Sequence, residues 1–312
     1  MKIFQNTSIP NNYKNSAIAI GNFDGVHLGH QKVFYETIKF AKKNKIKFGV
    51  LTFSPLPVMF FNKKIRNFRL VDEAQKIKFF KNSKVDFIIN ITFNKKFSKI
   101  SADNFIKNII YKKINPRLLA VSNNFKFGKN RLGDVNLLKK FEKKYEYRLL
   151  NITPLKYLNS VVSSTKIRNC LQKGNIILAN KLLSRTWNIE GKVQEGKKIG
   201  RKLGYRTCNI KIKNYILPKI GIYAVKISIG SKNKKYGGVA YLGKRPTFGG
   251  TEIFLEINIF GINKNLYKKK IKVYFLKFLR GDHKYKNSIQ LVKQMNKDVI
   301  SAKKGLKTKL VA

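Results

Sequence analysis

The apolar runs of this chain change character once, near Trp187, and that change constrains the fold more than any other feature. Before it, short runs typical of buried strands alternate with segments whose apolar residues recur at helical spacing. Such alternation predicts an α/β domain with a parallel, Rossmann-like sheet, whose ligands bind at the carboxyl ends of the strands. The strand-like runs are KIKFGVLTF, VDFIINITF and RLLAVSNNF, and the helical ones are EAQKIKFF, SADNFIKNIIY and NIILANKLL.

After Trp187 the runs become short, closely spaced and separated by glycine-containing turns, which predicts an all-β barrel or sandwich. A final segment, 288–306, carries apolar residues on one helical face, with Ser288 as a plausible cap. A chain of 312 residues can bury two cores, so we expect two domains, 1–185 and 186–312. The β-like runs are WNIEGKV, GIYAVKISIG, KYGGVAYLG, TEIFLEINIF and IKVYFLKFL.

The chain is strongly basic, with 67 Lys and Arg residues against 15 Asp and Glu residues and a formal net charge of +52. The lysines are spread through nearly every segment, together with many Asn and Ile residues, which favours a solvated coat over one dense basic face. An RNA-binding protein is one alternative, but no aromatic-glycine single-strand motif accompanies the charge. We therefore expect small-molecule substrates and no specific nucleic-acid partner, and the sequence leaves the oligomeric state open.

The two cysteines, Cys170 and Cys208, are too far apart in sequence to indicate a metal motif or a disulfide framework. No window approaches the roughly 18 uninterrupted apolar residues of a membrane span. These features predict a cytoplasmic protein without a membrane partner.

The stretch GNFDGVHLGH, residues 21–30, holds two of the three histidines, His27 and His30. It follows an apolar, strand-like run, and the residues after Gly29 have a helical pattern. The unpaired N–H groups of a helix start and an imidazole can both donate to phosphate oxygens, while the intervening glycine permits close approach. The stretch predicts an anion site at the end of a strand.

Ten segments resemble, in order and spacing, the bacterial bifunctional riboflavin kinase/FAD synthetase family. The resemblance implies a nucleotidyltransferase domain and a flavokinase barrel with a C-terminal helix. It also implies two reactions: riboflavin and ATP give FMN, and FMN and a second ATP give FAD and pyrophosphate, with Mg²⁺ as cofactor. The segments are GNFDGVHLGH (21–30), LTFSPLP (51–57), NNFKFG (123–128), VSSTKIR (162–168), GKVQEGKKIGRKLGYRTCNI (191–210), GIYAV (221–225), GVAYLGKRPTF (238–248), TEIFLEI (251–257), NLYKKKIKV (265–273) and FLRGDHKYKNSIQLVKQMNKD (278–298).

In the adenylyltransferase half, the resemblance assigns His27 and His30 to contact the triphosphate. It assigns the remaining nucleotide- and flavin-binding positions to Asn22, Phe23, Asp24, Asn124, Ser163, Ser164, Thr165 and Arg168. Asp24 is equally well read as a turn former. SSTKIR is equally a helix N-cap, and a hydroxyl-rich cap followed by an arginine is itself an anion site.

In the kinase half, a carboxylate is needed to accept the proton of the attacking ribityl hydroxyl. Glu252 and Glu256 lie four apart in a strand-like run and share a face. The resemblance selects Glu252 as the base, which leaves Glu256 as a cross-strand partner of a lysine, and His283 is the rival base. It also places Mg²⁺ at Thr207, and the ATP phosphates at Asn209 and along a glycine-rich loop formed by Gly196, Gly200, Arg201 and Gly204.

The sequence departs from the family pattern at several of these positions. Arg206 and Cys208 flank Thr207, where the family has Pro and Ala, and Asp282 stands where a Glu is typical. Arg206 therefore places a long cationic side chain where the family has the rigid proline. The sequence therefore leaves open an alternative in which only the adenylyltransferase is retained and the kinase half is degraded.

Overall fold

The structure is a computed structural model that describes residues 1–65, 67–195, 204–230, 234–247 and 250–306, with only the backbone at 245–247 and 250–252. The chain forms two compact units. The first comprises Met1–Arg66 and Asp72–Ser163, and the second comprises Asn67–Val71 and Ser164–Ala312. The functional division predicted at 185/186 stays a prediction.

The first unit is built on a six-stranded sheet in which every neighbouring pair is parallel, in the order β1-β4-β3-β2-β5-β6. The predicted α/β architecture is confirmed. The central strand β2 is buried on both faces, with Ile18 and Ile20 in one apolar cluster and Ala17 and Ala19 in the other. The strands are β1 (Lys2–Phe4), β2 (Ala17–Ile20), β3 (Phe48–Ser54), β4 (Phe87–Thr92), β5 (Leu118–Ser122) and β6 (Arg148–Ile152).

Helices follow these strands and cover the sheet. The predicted SADNFIKNIIY helix is present, but beyond Asn104 it continues as a π-helix over Phe105–Ile114. The carboxylate of Asp72 and the side chain of Gln75 form a capping box that starts one of the predicted helices. The helices are α1 (Leu28–Lys43), α2 (Pro57–Phe61), α3 (Glu73–Asn82), α4 (Lys95–Ser98), α5 (Ala102–Asn104) and α6 (Val135–Phe141), and a hairpin of β7 (Lys156–Tyr157) and β8 (Ser160–Val161) follows.

The second unit is a closed antiparallel barrel in the order β10-β13-β12-β11-β14-β9, preceded by two helices and followed by one. The closed barrel and the C-terminal helix are confirmed, and closure leaves no sheet edge exposed. The elements are α7 (Ser164–Gln172), α8 (Ile176–Leu183), β9 (Asn188–Gln194), β10 (Thr207–Lys211), β11 (Gly221–Ile229), β12 (Lys235–Thr247), β13 (Gly250–Ile259), β14 (Lys270–Arg280) and α9 (Ser288–Leu306).

Helix α9 packs against β11, β12 and β14. Its buried Asp298 accepts two hydrogen bonds from Arg280, at 2.8 and 2.6 Å, which ties the helix to the end of β14. The expected cap, Ser288, is wrong by one residue, because the side chain of Asn287 accepts the hydrogen bond from the N–H of Gln290. Asn caps a helix as well as Ser does, so the sequence offered two equivalent candidates.

Trp187 lies at the point where the sequence pattern changes, and its side chain is buried within the second unit. Its ring packs on Phe275 with centroids 5.0 Å apart, and its Nε1–H donates to the carbonyl of Leu70 at 2.7 Å. The side chain of Asn180 accepts from the Trp187 N–H and donates to the Phe275 carbonyl, at 2.8 and 2.9 Å. Residues from α8 and from Asn67–Val71 therefore complete the packing around this tryptophan.

Candidate functional site

The two histidines of the first unit lie where predicted, at the start of the helix that follows β2: His27 immediately precedes α1 and His30 is in its first turn. His27 is the N-cap of α1, and its Nδ1 accepts from the backbone N–H of His30 at 3.4 Å. The two imidazole rings stack with centroids 3.6 Å apart and an angle of 19° between them. When the His27 ring is neutral and accepts at Nδ1, its donor is Nε2–H.

The backbone of this loop is unusually bent. Phe23 and Val26 have positive φ angles of 48° and 39°, a region that β-branched and bulky residues rarely adopt. Gly29 leaves little room for a side chain, since an added Cβ would lie 3.2 Å from the His27 ring and from the Val162 carbonyl oxygen. The glycine therefore makes room for the His27 ring, and such bent loops are concentrated at functional sites.

A chain of two hydrogen bonds connects the loop at Asn22 to the buried side chains of Thr52 and Lys76. The hydroxyl of Thr52 donates to the Asn22 carbonyl at 3.2 Å, and the ammonium of Lys76 donates to that hydroxyl at 2.7 Å. Lys76 is only 2% exposed. Asp24 is buried in the turn itself, which agrees with the turn-former interpretation, while its role toward a ligand stays a prediction.

The other adenylyltransferase candidates fall on both units. Asn124 lies just beyond β5, where its side-chain oxygen accepts from the Ser122 hydroxyl at 2.7 Å. Ser163 ends the first unit, and Ser164, Thr165 and Arg168 lie on α7 of the second. Their predicted role in phosphate binding is not tested by this placement.

Arg168 has contacts within the second unit that the sequence did not predict. Its Nε donates to the Phe68 carbonyl at 2.9 Å, and its guanidinium lies 3.7 Å from the centre of the Phe68 ring. Arginine stacks well on aromatic rings, so Phe68 fixes the orientation of this side chain. Phe68 is 100 residues away along the chain, which is why no local pattern indicates the pair.

In the barrel, Thr207 and Asn209 are the predicted metal and nucleotide residues. They lie two positions apart on β10, so their side chains point to the same face of the strand. The strand β13 places Glu256 opposite Asn209, and the Thr207 hydroxyl donates to Oε1 of Glu256 at 2.5 Å. We expected the Glu256 carboxylate to pair with a lysine on a neighbouring strand; the partner seen in the structure is instead the Thr207 hydroxyl. Within the part of the chain that is described, Oδ1 of Asn209 is a buried acceptor without a hydrogen-bond partner.

Several predicted kinase positions lie outside the described residues. They are Gly196, Gly200, Arg201 and the side chain of Glu252, whose backbone pairs with Arg245. Gly204 has φ of +82°, which a glycine adopts without strain. The rival base His283 is solvent-exposed, and its ring meets Tyr285 edge-on.

A cavity of about 220 Å³ opens beside Thr207. Its walls are apolar side chains from β9, β13 and the segment after β13, together with Arg206 and Lys264. Cys208 also lines it, and burial, followed by the charge of Glu256, raises the pKa of its thiol to about 12. Arg206, the departure from the family pattern, therefore supplies a cation to the cavity rather than disturbing β10, which pairs regularly with β13.

Cys170 and Cys208 are both free thiols and both are buried. Among the described residues, no three His, Cys, Asp or Glu side chains cluster as metal ligands. The described helices also include none that is long and apolar enough to cross a membrane.

A parallel sheet with a histidine-capped helix start, and a barrel with a hydroxyl, a carboxylate and an amide side by side, are the features expected of a nucleotide-dependent transferase. Residues 9–166 match the FAD synthetase family model, and residues 183–306 match the riboflavin kinase model. The chain belongs to the bifunctional riboflavin kinase/FMN adenylyltransferase family, which confirms the resemblance.

Relatives of that name cover almost the whole chain. The protein from Buchnera aphidicola subsp. Schizaphis graminum is 42% identical over 93% of this chain and 94% of its own length. The Escherichia coli K12 protein is 30% identical over 92% of this chain and 91% of its own. A crystal structure described as a macrolide-efflux protein from Streptococcus pneumoniae is 26% identical, with a TM-score of 0.85 over 96% of this chain and 98% of that one.

Proposed function

We propose that this protein phosphorylates riboflavin to FMN with ATP, and then adenylylates FMN with a second ATP to give FAD and pyrophosphate. The observation that supports an active kinase half is the hydrogen bond from Thr207 to Glu256 beside the free amide oxygen of Asn209. A degraded kinase half would have no reason to keep these oxygen groups together. We further propose that the two activities divide at 185/186 and that the protein acts in the cytoplasm.

In the adenylyl transfer, an oxygen of the FMN phosphate attacks the α-phosphorus of ATP, and the bond to pyrophosphate breaks. Both reactants carry their own reacting groups, so the protein has to orient them and stabilise negative charge. We assign this role to Nε2–H of His27, to His30 and to the first N–H groups of α1. Asn22, Phe23, Asp24, Asn124, Ser163, Ser164, Thr165 and Arg168 remain the proposed nucleotide and flavin contacts.

In the kinase step, the ribityl hydroxyl attacks the γ-phosphorus, its proton passes to a carboxylate, and ADP leaves. We prefer Glu256 to Glu252 as this base, because the Thr207 hydroxyl donates a hydrogen bond to the Glu256 carboxylate. Glu252 stays the rival, with His283 behind it because of its exposure.

The residues present fit Mg²⁺. The hydroxyl of Thr207, the carboxylate of Glu256 and Oδ1 of Asn209 are hard oxygen donors on adjacent strands, and Oδ1 of Asn209 is buried with no partner in the described structure. When bound, the metal would neutralise phosphate charge. Thr207 and Asn209 are the residues that we propose to hold it.

The test is to incubate the purified protein with riboflavin, ATP and magnesium and to separate the flavins by chromatography. We expect FMN to appear first and FAD to follow, and FMN supplied directly to give FAD. FAD from supplied FMN, with no FMN from riboflavin, would show that the kinase half is inactive. No conversion of either flavin would refute the proposal as a whole.

A further inference from the structure

Tyr241 stands on β12 directly opposite Glu256 of β13. Its ring lies over Gly243 of its own strand, where an added Cβ would fall 2.5 Å from the ring carbon that bears the hydroxyl. The ring also meets Phe254 edge-on, with centroids 5.7 Å apart. Because Gly243 has no side chain, the Tyr241 ring can lie over it, and the contact with Phe254 restricts the ring from the side. The orientation of the Tyr241 ring is therefore fixed.

That direction brings the phenol to the connection between β14 and α9, residues 281–287. The Tyr241 hydroxyl donates to Oδ2 of Asp282 at 2.9 Å, and Oδ1 of Asp282 accepts from the backbone N–H of His283 at 2.9 Å. Burial, and then the bond to Asp282, raise the pKa of the Tyr241 hydroxyl, which therefore stays protonated as a donor. The Asp282 carboxylate thus accepts one hydrogen bond from within its own turn and one from Tyr241 on the outer face of β12.

The same face carries the kinase candidates. Leu255 and Ile257 point into the barrel and are fully buried, so Phe254 and Glu256 lie on the outer face of β13. Helix α9 covers the outer face of the neighbouring strands β11, β12 and β14. Through Tyr241, the turn that contains Asp282 is therefore connected to the outer-face position opposite Glu256.

We propose that Tyr241 is a positioning residue of the kinase half, whose hydroxyl holds Asp282 and, with it, the turn at 281–284 beside Glu256 as one wall of the site that accepts riboflavin. This inference rests on the proposed function. The wall contributes to binding of the flavin and takes no part in proton transfer, so its loss changes the affinity for riboflavin more than the turnover rate.

The experiment measures KM for riboflavin, KM for ATP and kcat of the full chain, and the Kd for riboflavin by quenching of flavin fluorescence. Tyr241→Phe keeps the ring over Gly243 and removes only the hydroxyl. We expect KM and Kd for riboflavin to rise about tenfold, as for one partly exposed hydrogen bond to a charged acceptor. The kcat and KM for ATP should change less than about twofold, and FAD formation from supplied FMN should not change.

Three further variants make the test specific. Asp282→Ala should reproduce the effect of Tyr241→Phe, and the double variant should be no worse than either single one, because both remove the same interaction. Asp282→Asn should give a smaller rise than Asp282→Ala, because its amide oxygen still accepts a hydrogen bond. Tyr236→Phe removes a hydroxyl at the other end of β12 and is the matched control.

An unchanged riboflavin KM and Kd in Tyr241→Phe, in an enzyme that makes FMN, would overturn the inference, as would fully additive losses in the double variant. A fall in kcat without a change in riboflavin affinity would also overturn it. If the unaltered chain bound no riboflavin and made no FMN, the proposed function would fail first. That result is distinguishable because it appears without any substitution.

Discussion

Replacing Glu256 by Gln tests which carboxylate accepts the proton in riboflavin phosphorylation. The substitution keeps the side-chain length and an oxygen that can still accept the Thr207 hydroxyl, so the contact seen at 2.5 Å loses its charge but not its geometry. A general base contributes about 10²- to 10⁴-fold, which corresponds to roughly 3–5 kcal/mol in the barrier. We expect kcat for FMN formation to fall by about that factor.

The assay follows FMN by chromatography under saturating ATP and magnesium, with Glu252→Gln as the matched variant on the same strand. We expect Glu252→Gln to cost far less than Glu256→Gln, and neither variant to slow FAD formation from supplied FMN. A near-normal kcat in Glu256→Gln with a large loss in Glu252→Gln would refute the reasoning and restore the assignment made from the sequence. A parallel loss of both activities would indicate unfolding instead.

Three other perturbations probe the remaining assignments. His30→Ala should slow FAD formation by about 10²- to 10³-fold, since a charge-stabilising donor contributes about 2.7–4 kcal/mol in the transition state, and should leave FMN formation intact; equal loss of both activities would contradict it. A fragment of residues 164–312 should unfold at higher urea than one of residues 186–312, because only the longer one keeps Asn180 and its buried bonds to Trp187 and Phe275; equal midpoints would show that these bonds contribute nothing. Burial by itself would raise the pKa of Glu190, but hydrogen bonds from two lysines of β14 outweigh burial, so the pKa is lowered overall. The ionised Glu190 carboxylate therefore stabilises the folded state above about pH 4.3, and this contribution is lost as the pH falls through the lowered pKa. Glu190→Gln should therefore reduce the fall in stability below that pH, and an unchanged acid limb of the stability curve would contradict this.

Local patterns predicted the elements that bury continuous apolar surface. The strands β3, β4, β5 and β11 to β14 are apolar runs bounded by turn residues, so the pattern alone indicates them. The edge strands β1 and β6 were missed because they are short and largely exposed, and they pair only because a partner strand is already in place. The parity of a strand likewise placed Glu252 and Glu256 on one face but could not tell which one meets Thr207.

The sequence by itself determined the fold class of each half, the histidine loop and the family, because these depend on periodicity and on motifs a few residues long. Only the tertiary structure decided which side chains touch: Arg168 stacks on Phe68, Thr207 bonds to Glu256, and Tyr241 reaches Asp282. Each pair joins residues more than 40 positions apart. Their meeting depends on cross-strand register and on the closure of the barrel, which are set by the packing of the whole unit and leave no mark in a short window of sequence.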